Sequence, residues 1–147
     1  MATLAERLET DYKTALKAGD KLRVETLRML KAGIERAASD KRKTALEDPE
    51  IVQVVAQQTK QRRETIDAAK QGGRQDILSQ TTKELEILSS YLPQQLSLEA
   101  IKRLIDEAVT AVGANQGAIM KYVMGKAAGA ADGKTVSQLV SERLKRG

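Results

Sequence analysis

A chain of 147 residues with a net charge of +5 suits one medium domain or two small ones, and can bury roughly 70% of its unfolded surface. It has no His and no Cys, which excludes Ser-His-Asp and Cys-His catalysis, disulfides and the usual Cys/His zinc sites. It has no Phe or Trp either, so Leu, Ile, Val, Met and Ala must fill the core, as in a bundle of aliphatic helices.

Helical periodicity runs through the chain and no strand alternation persists, which predicts an all-α fold. Thr3 with Glu6 forms a capping box that opens the first helix. Leu4, Leu8, Tyr12, Ala15 and Leu16 share one face of it. Gly19 stops that helix and Asp20 caps the next, whose stripe is Leu27, Leu30, Ile34 and Ala37. Asp48-Pro49 reads as an N-cap followed by proline at the first helical position. The third helix carries Ile51, Val55, Gln58, Arg62 and Ile66, and Gly72-Gly73 breaks it. A fourth, from about Gln75 to Tyr91, carries Ile77, Leu78, Leu85, Leu88 and Leu92.

Pro93 ends that helix, because the residue before a proline avoids helical angles. Ser97 caps a fifth helix with the stripe Ile101, Leu104, Ile105, Ala108, Val109 and Val112, closed by Gly113. A short sixth holds Ile119, Met120, Val123 and Met124. Asp132 or a neighbour starts the seventh, with Val136, Leu139, Val140 and Leu144. The bend at Pro93 is the expected domain boundary: a four-helix hairpin array over residues 1–92 and a compact three-helix unit over residues 93–147. The second is small for an independent core, so it is expected to lean on the first or on a partner. Tyr91, beside the bend, is expected to be structural and to bridge the halves.

The first part holds 17 basic and 15 acidic residues and the second 8 and 5, or about +2 and +3. A basic balance favours nucleic acid as a partner. The opening residues form no apolar signal core and no window reaches the length of a membrane span, which predicts a cytoplasmic protein without membrane contact. Residues 21–43 carry eight bases against Glu25, Glu35 and Asp40, including Arg28, Lys31, Lys41, Arg42 and Lys43. This secondary basic patch reads either as an RNA footprint or as a solvated helix face with pairs such as Lys31–Glu35. Lys60–Glu64 and Arg63–Asp67 have the same i,i+4 spacing, while Arg62 falls on the apolar stripe, its stem packed and its charge snorkelling outward.

No carboxylate pair comes with a second catalytic motif; Glu84 and Glu86, Asp106 and Glu107, and the run Glu47, Asp48, Glu50 read as exposed or capping charge. Gly125-Lys126-Ala127-Ala128-Gly129 and Gly133-Lys134 fit neither a Walker loop nor a dinucleotide fingerprint. Gly129 and Gly133 flank a helix N-terminus, where free N–H groups favour an anion, and Lys126 and Lys134 bracket that end. The glycines also read simply as a cap and a turn. Three tyrosines cannot build a base-stacking platform, so an RNA ligand would be read through its backbone. Tyr122, among Lys121, Lys126 and small residues, is the aromatic best placed to touch it.

Leu27-Arg28-Met29-Leu30-Lys31, Gln61-Arg62-Arg63, Glu84-Leu85-Glu86-Ile87-Leu88, Tyr91-Leu92-Pro93 and the turns Met124-Gly125-Lys126 and Asp132-Gly133-Lys134 together resemble the YqeY-like proteins of the GatB/YqeY family, over essentially the whole chain. The resemblance implies an all-helical protein whose C-terminal part is similar to the tail of the GatB component of the tRNA-dependent amidotransferase. In that enzyme the tail holds the outer side of Glu-tRNA(Gln) or Asp-tRNA(Asn), and the chemistry lies in other domains. It implies tRNA as a partner, or a protein of the aminoacylation or amidation machinery, with Lys121, Gly125, Lys126, Gly129, Gly133 and Lys134 as contact residues; Tyr122 joins them from its place among these lysines alone. It implies no catalytic residue, cofactor or metal for this chain alone. A protein-interaction adaptor, docking through Met120, Val123 and Met124, is the second reading. Carbon–nitrogen ligase activity with glutamine as amido donor, inherited from the shared module, is the third, and no residue here supports it.

Overall fold

Local capping chemistry sets most of the helix starts. The computed structural model describes residues 2–146, and among them it contains seven α-helices and no strand. Helix α1 spans Leu4–Ala18, α2 Lys21–Asp40, α3 Asp48–Gln71 and α4 Gln75–Ser89. Helix α5 spans Leu98–Val112, α6 Gln116–Ala127 and α7 Gly133–Lys145. The side chains of Thr3, Asp20, Ser97 and Asp132 accept hydrogen bonds from the backbone N–H groups of Glu6, Arg23, Ala100 and Thr135, one orphan donor at each helix start. Gly19 ends α1 in the left-handed conformation at φ 70°.

The start of α3 corrects the expected register by one residue. Glu47 is the N-cap, so Asp48 and Pro49 already lie inside the helix. The cause is Glu50, whose carboxylate accepts from the Glu47 N–H at 3.0 Å and from the ammonium groups of Lys41 and Lys43, also at 3.0 Å. The backbone bond, then the two lysines, hold the Glu50 pKa down at about 2, from an ordinary 4.5. A depressed carboxylate pKa stabilises the fold above the unfolded value, and that contribution fades as pH falls through the folded value. Thermal stability should therefore fall less steeply between about pH 4.5 and pH 2 in Glu50→Gln than in the wild type. Superimposable pH–Tm curves would contradict this role for Glu50.

The described helices group into two units, Met1–Leu92 with α1–α4 and Pro93–Gly147 with α5–α7. The core of the first gathers Leu8, Leu27, Leu30, Ile51, Val55, Leu88 and Tyr91. Leu16, expected on the core face, is 49% exposed, because Ala15, one helical step of 100° away, takes the inward place. Ile87 is buried although it lies off the expected stripe of α4, and that helix ends at Ser89 rather than Tyr91. Where α2 and α3 cross, a Cβ on Gly33 would come within 2.5 Å of the Gln58 side-chain nitrogen, which donates to the Met29 carbonyl at 3.2 Å. Glycine there leaves room for the Gln58 amide to reach that carbonyl.

Of two polar contacts within this unit, one differs from the sequence expectation. Arg62 does not snorkel: it is 7% exposed, and its Nε donates to Glu84 Oε1 at 2.9 Å, tying α3 to α4. Tyr91 is structural within the first unit, where its hydroxyl donates to Asp11 and the Arg7 guanidinium lies 4.5 Å from its ring centre. Burial, and then the hydrogen bond to Asp11, raise the Tyr91 phenol above its ordinary pKa.

The second unit has its own aliphatic core of Ile101, Ile105, Ala108, Ile119, Val123, Val136 and Val140. Met120 and Met124 pack against it, partly buried. Val112, expected on the core stripe, is 41% exposed in the last turn of α5, next to Gly113, whose φ is 84°. No described helix is long and apolar enough to cross a membrane.

Candidate nucleic-acid interface

Helix α6 is capped by Asn115, whose side chain accepts from the Ala118 N–H at 2.9 Å. It ends in two successive left-handed residues, Ala128 at φ 47° and Gly129 at φ 89°, which reverse the chain toward α7. The segment after Pro93 fastens this turn: the Leu96 N–H donates to the Ala130 carbonyl at 2.7 Å, and the Gln95 amide to the Gly129 carbonyl at 3.1 Å. Lys121, Tyr122, Gly125 and Lys126 therefore lie on α6, Gly129 in the turn, and Gly133 and Lys134 in the first turn of α7.

Lys121, Gly125 and Lys126 are exposed on α6, and Lys134 is exposed on α7. Gly125 is unusual among them. A Cβ there would meet nothing within 4 Å, so no packing within the protein calls for glycine. An exposed glycine inside a helix costs about 1 kcal/mol relative to alanine. What it leaves is bare backbone one helical turn from Lys121 and next to Lys126, where another chain can approach closely.

Acidic groups temper this surface. The Tyr122 hydroxyl donates to Glu107 Oε1 at 2.6 Å, and that bond raises the Tyr122 phenol above its ordinary pKa. Lys126 Nζ lies 3.9 Å from the same Glu107 oxygen and 5.6 Å from the Tyr122 ring centre. Both members of the Lys126–Glu107 pair are more than half exposed, so it contributes at most about 1 kcal/mol and yields to a stronger acceptor. The N-terminus of α7 is less open. Asp132 accepts there from the Thr135 N–H at 3.4 Å and the Thr135 hydroxyl at 3.3 Å, placing a carboxylate where an anion would otherwise sit. Lysine side chains, rather than that helix end, are what this surface offers a phosphate.

The secondary patch belongs to the first unit, and four of its five cations are engaged. Arg28 pairs with Glu25 at 2.7 Å, and Lys31 pairs with Glu9 at 2.9 Å rather than with Glu35, lying over the Tyr12 ring at 4.3 Å. Lys41 and Lys43 both hold Glu50. Only Arg42 of the five has no partner among the described residues; it is exposed, at φ 56°.

A basic feature that sequence spacing did not reveal lies between α5 and α7. There Lys102, Arg143 and Arg146 surround a cavity of about 90 Å³ with Ile105, Asp106 and Leu139. Its arginines stand 41 or more positions from Lys102 in the chain, so no local motif marks them. Among the described residues, no group of three or more His, Cys, Asp or Glu could hold a metal ion.

A family model described as Yqey-like protein matches residues 5–144. No curated protein matches the chain.

Proposed function

The chain belongs to the YqeY-like family, and from that premise we propose a non-catalytic tRNA-binding accessory protein whose second unit acts as a tail-like module on the tRNA backbone. The observation that carries the reading is the exposed helical Gly125 between Lys121 and Lys126, a surface where bare backbone and two ammonium groups meet with no packing reason for the glycine. Lys134 and Tyr122 extend this surface, and the Lys126–Glu107 pair is weak enough to be exchanged for a phosphate contact. Recognition of this kind depends on shape and charge, since the chain has too few aromatics to stack bases.

The adaptor reading has less support. Met120 and Met124 serve the core of the second unit. Its large exposed apolar residues, Leu98 and Val112, sit at opposite ends of α5, about 20 Å apart at 1.5 Å rise per residue. Two isolated side chains at that separation do not make a docking patch.

Binding to labelled total tRNA, followed by fluorescence anisotropy over a salt series with duplex DNA as control, tests the proposal. The wild type should prefer tRNA and retain binding at physiological salt. The double variant Lys126→Gln/Lys134→Gln should flatten the plot of log affinity against log salt by about 0.7 to 0.9 for each phosphate no longer neutralised. An unchanged slope would remove these lysines from the interface. Equal affinity for duplex DNA, or no tRNA binding, would sink the reading itself.

A further inference from the structure

We propose that the cleft between α5 and α7 is a second seat for RNA phosphate groups, with Lys102, Arg143 and Arg146 as its cations. The proposal rests on the tRNA-binding reading but uses none of the residues that carry it. The cleft floor is apolar, with Ile105 1% exposed and Leu139 partly buried, so charged groups at the rim act beside a low-dielectric wall. Three cations face one carboxylate, Asp106, giving the cleft a local charge of +2 by subtraction.

The state of each cation supports this use. Lys102 and Arg146 are exposed and have no acidic partner among the described residues. Among the described residues Arg143 gives Asp106 its Nε, at 2.9 Å, and its terminal N–H groups have no acceptor, so they can serve a second one. Its side chain is 34% exposed and that of Asp106 63%, so water screens their pair and a stronger acceptor can replace it. A phosphate, which accepts two parallel N–H bonds from a guanidinium, is the stronger partner.

Helix electrostatics alone do not account for the arrangement. A basic residue in the last turn of α7 complements the negative end of the helix dipole, which explains Arg143. Lys102 lies just past the first turn of α5, toward the end where a cation gains nothing from the dipole. The dipole therefore does not place Lys102 in the cleft, where an anion shared with the two arginines would give it a role. No tyrosine lines the cleft, so it offers nothing on which a base could stack and suits the sugar-phosphate backbone.

The full-length chain and labelled total tRNA provide the test. Lys102→Gln/Arg146→Gln removes two cations that make no ion pair among the described residues, so the variant should melt like the wild type by circular dichroism. Its salt slope should be shallower by about 1.4 to 1.8, the change expected when two phosphates are no longer neutralised. Lys13→Gln/Lys17→Gln, which makes the same change of charge on α1, should leave the slope as it was, and Asp106→Asn should strengthen binding. Wild-type affinity and slope in Lys102→Gln/Arg146→Gln would overturn the cleft and leave the tRNA reading standing. An equal loss in the α1 variant would overturn it too, by reducing the effect to net charge. Failure of the wild type to bind tRNA would overturn both.

Discussion

Ile119→Ala should strip protection from the second unit far more than from the first. Ile119 is fully buried in α6 among Ile101, Ile105, Val123, Val136 and Val140. Truncating such a side chain removes its transfer free energy and leaves a cavity, a combined cost of about 2 to 5 kcal/mol. Few large side chains share this core; three isoleucines are its bulkiest buried members. A unit of this size has about 3 to 8 kcal/mol in all at ordinary stability per residue, so the loss consumes much of it. Hydrogen exchange resolved by residue should show amides of α5, α6 and α7 losing protection by a factor of a hundred or so, at about 1.4 kcal/mol for each tenfold change. Ile119→Val should cost only about 1 kcal/mol. Equal losses in α1–α4 would mean that the units do not unfold separately.

Glu84→Ala should be the most damaging change to a polar residue in the first unit. It leaves Arg62 charged, its side chain 9% exposed, with the Met29 sulfur, 3.7 Å away, as its remaining hydrogen-bond acceptor among the described residues. Removing one partner of a buried pair costs about 3 to 5 kcal/mol, because the other charge stays desolvated. Glu84 is 16% exposed and water can relax toward the gap, which places the expected loss near the bottom of that range. Urea denaturation should show the midpoint falling with little change in the m-value. Arg62→Met/Glu84→Met should recover most of the loss, since an apolar pair leaves no unpaired charge. If the double variant were as unstable as Glu84→Ala, packing rather than charge would be the cause.

Short-range chemistry is legible in this chain, and long-range pairing is not. Caps at Thr3, Asp20, Ser97 and Asp132 act within three residues, so their chemistry can be read locally. The start of α3 could not be read so, because two lysines from the preceding turn join Glu50 and draw the cap back to Glu47. Arg62 lies 22 positions from Glu84, and its burial depends on how α3 meets α4, which no periodicity encodes. The same limit applies to the candidate interface. The positions of Lys121, Lys126 and Lys134 follow from spacing, yet Glu107, which engages both Lys126 and Tyr122, comes from a different helix. Lys102, Arg143 and Arg146 each look like an ordinary solvated charge until α5 and α7 are set side by side.

Arg7 donates to the Ser90 carbonyl across 83 positions, and the hydroxyl of Tyr91 reaches Asp11 across 80. The first unit is thus fastened by its own two ends. A ribosome, delivering the chain from its N-terminus, releases α1 first and supplies its fasteners last. Until the segment around Ser90 has cleared the exit tunnel, α1 must wait with Leu8 short of its Leu88 and Tyr91 neighbours in the core. The second unit gathers its core from residues 101–140 alone, a much shorter wait. During synthesis, the larger and earlier unit therefore waits longer for the contacts that close its core.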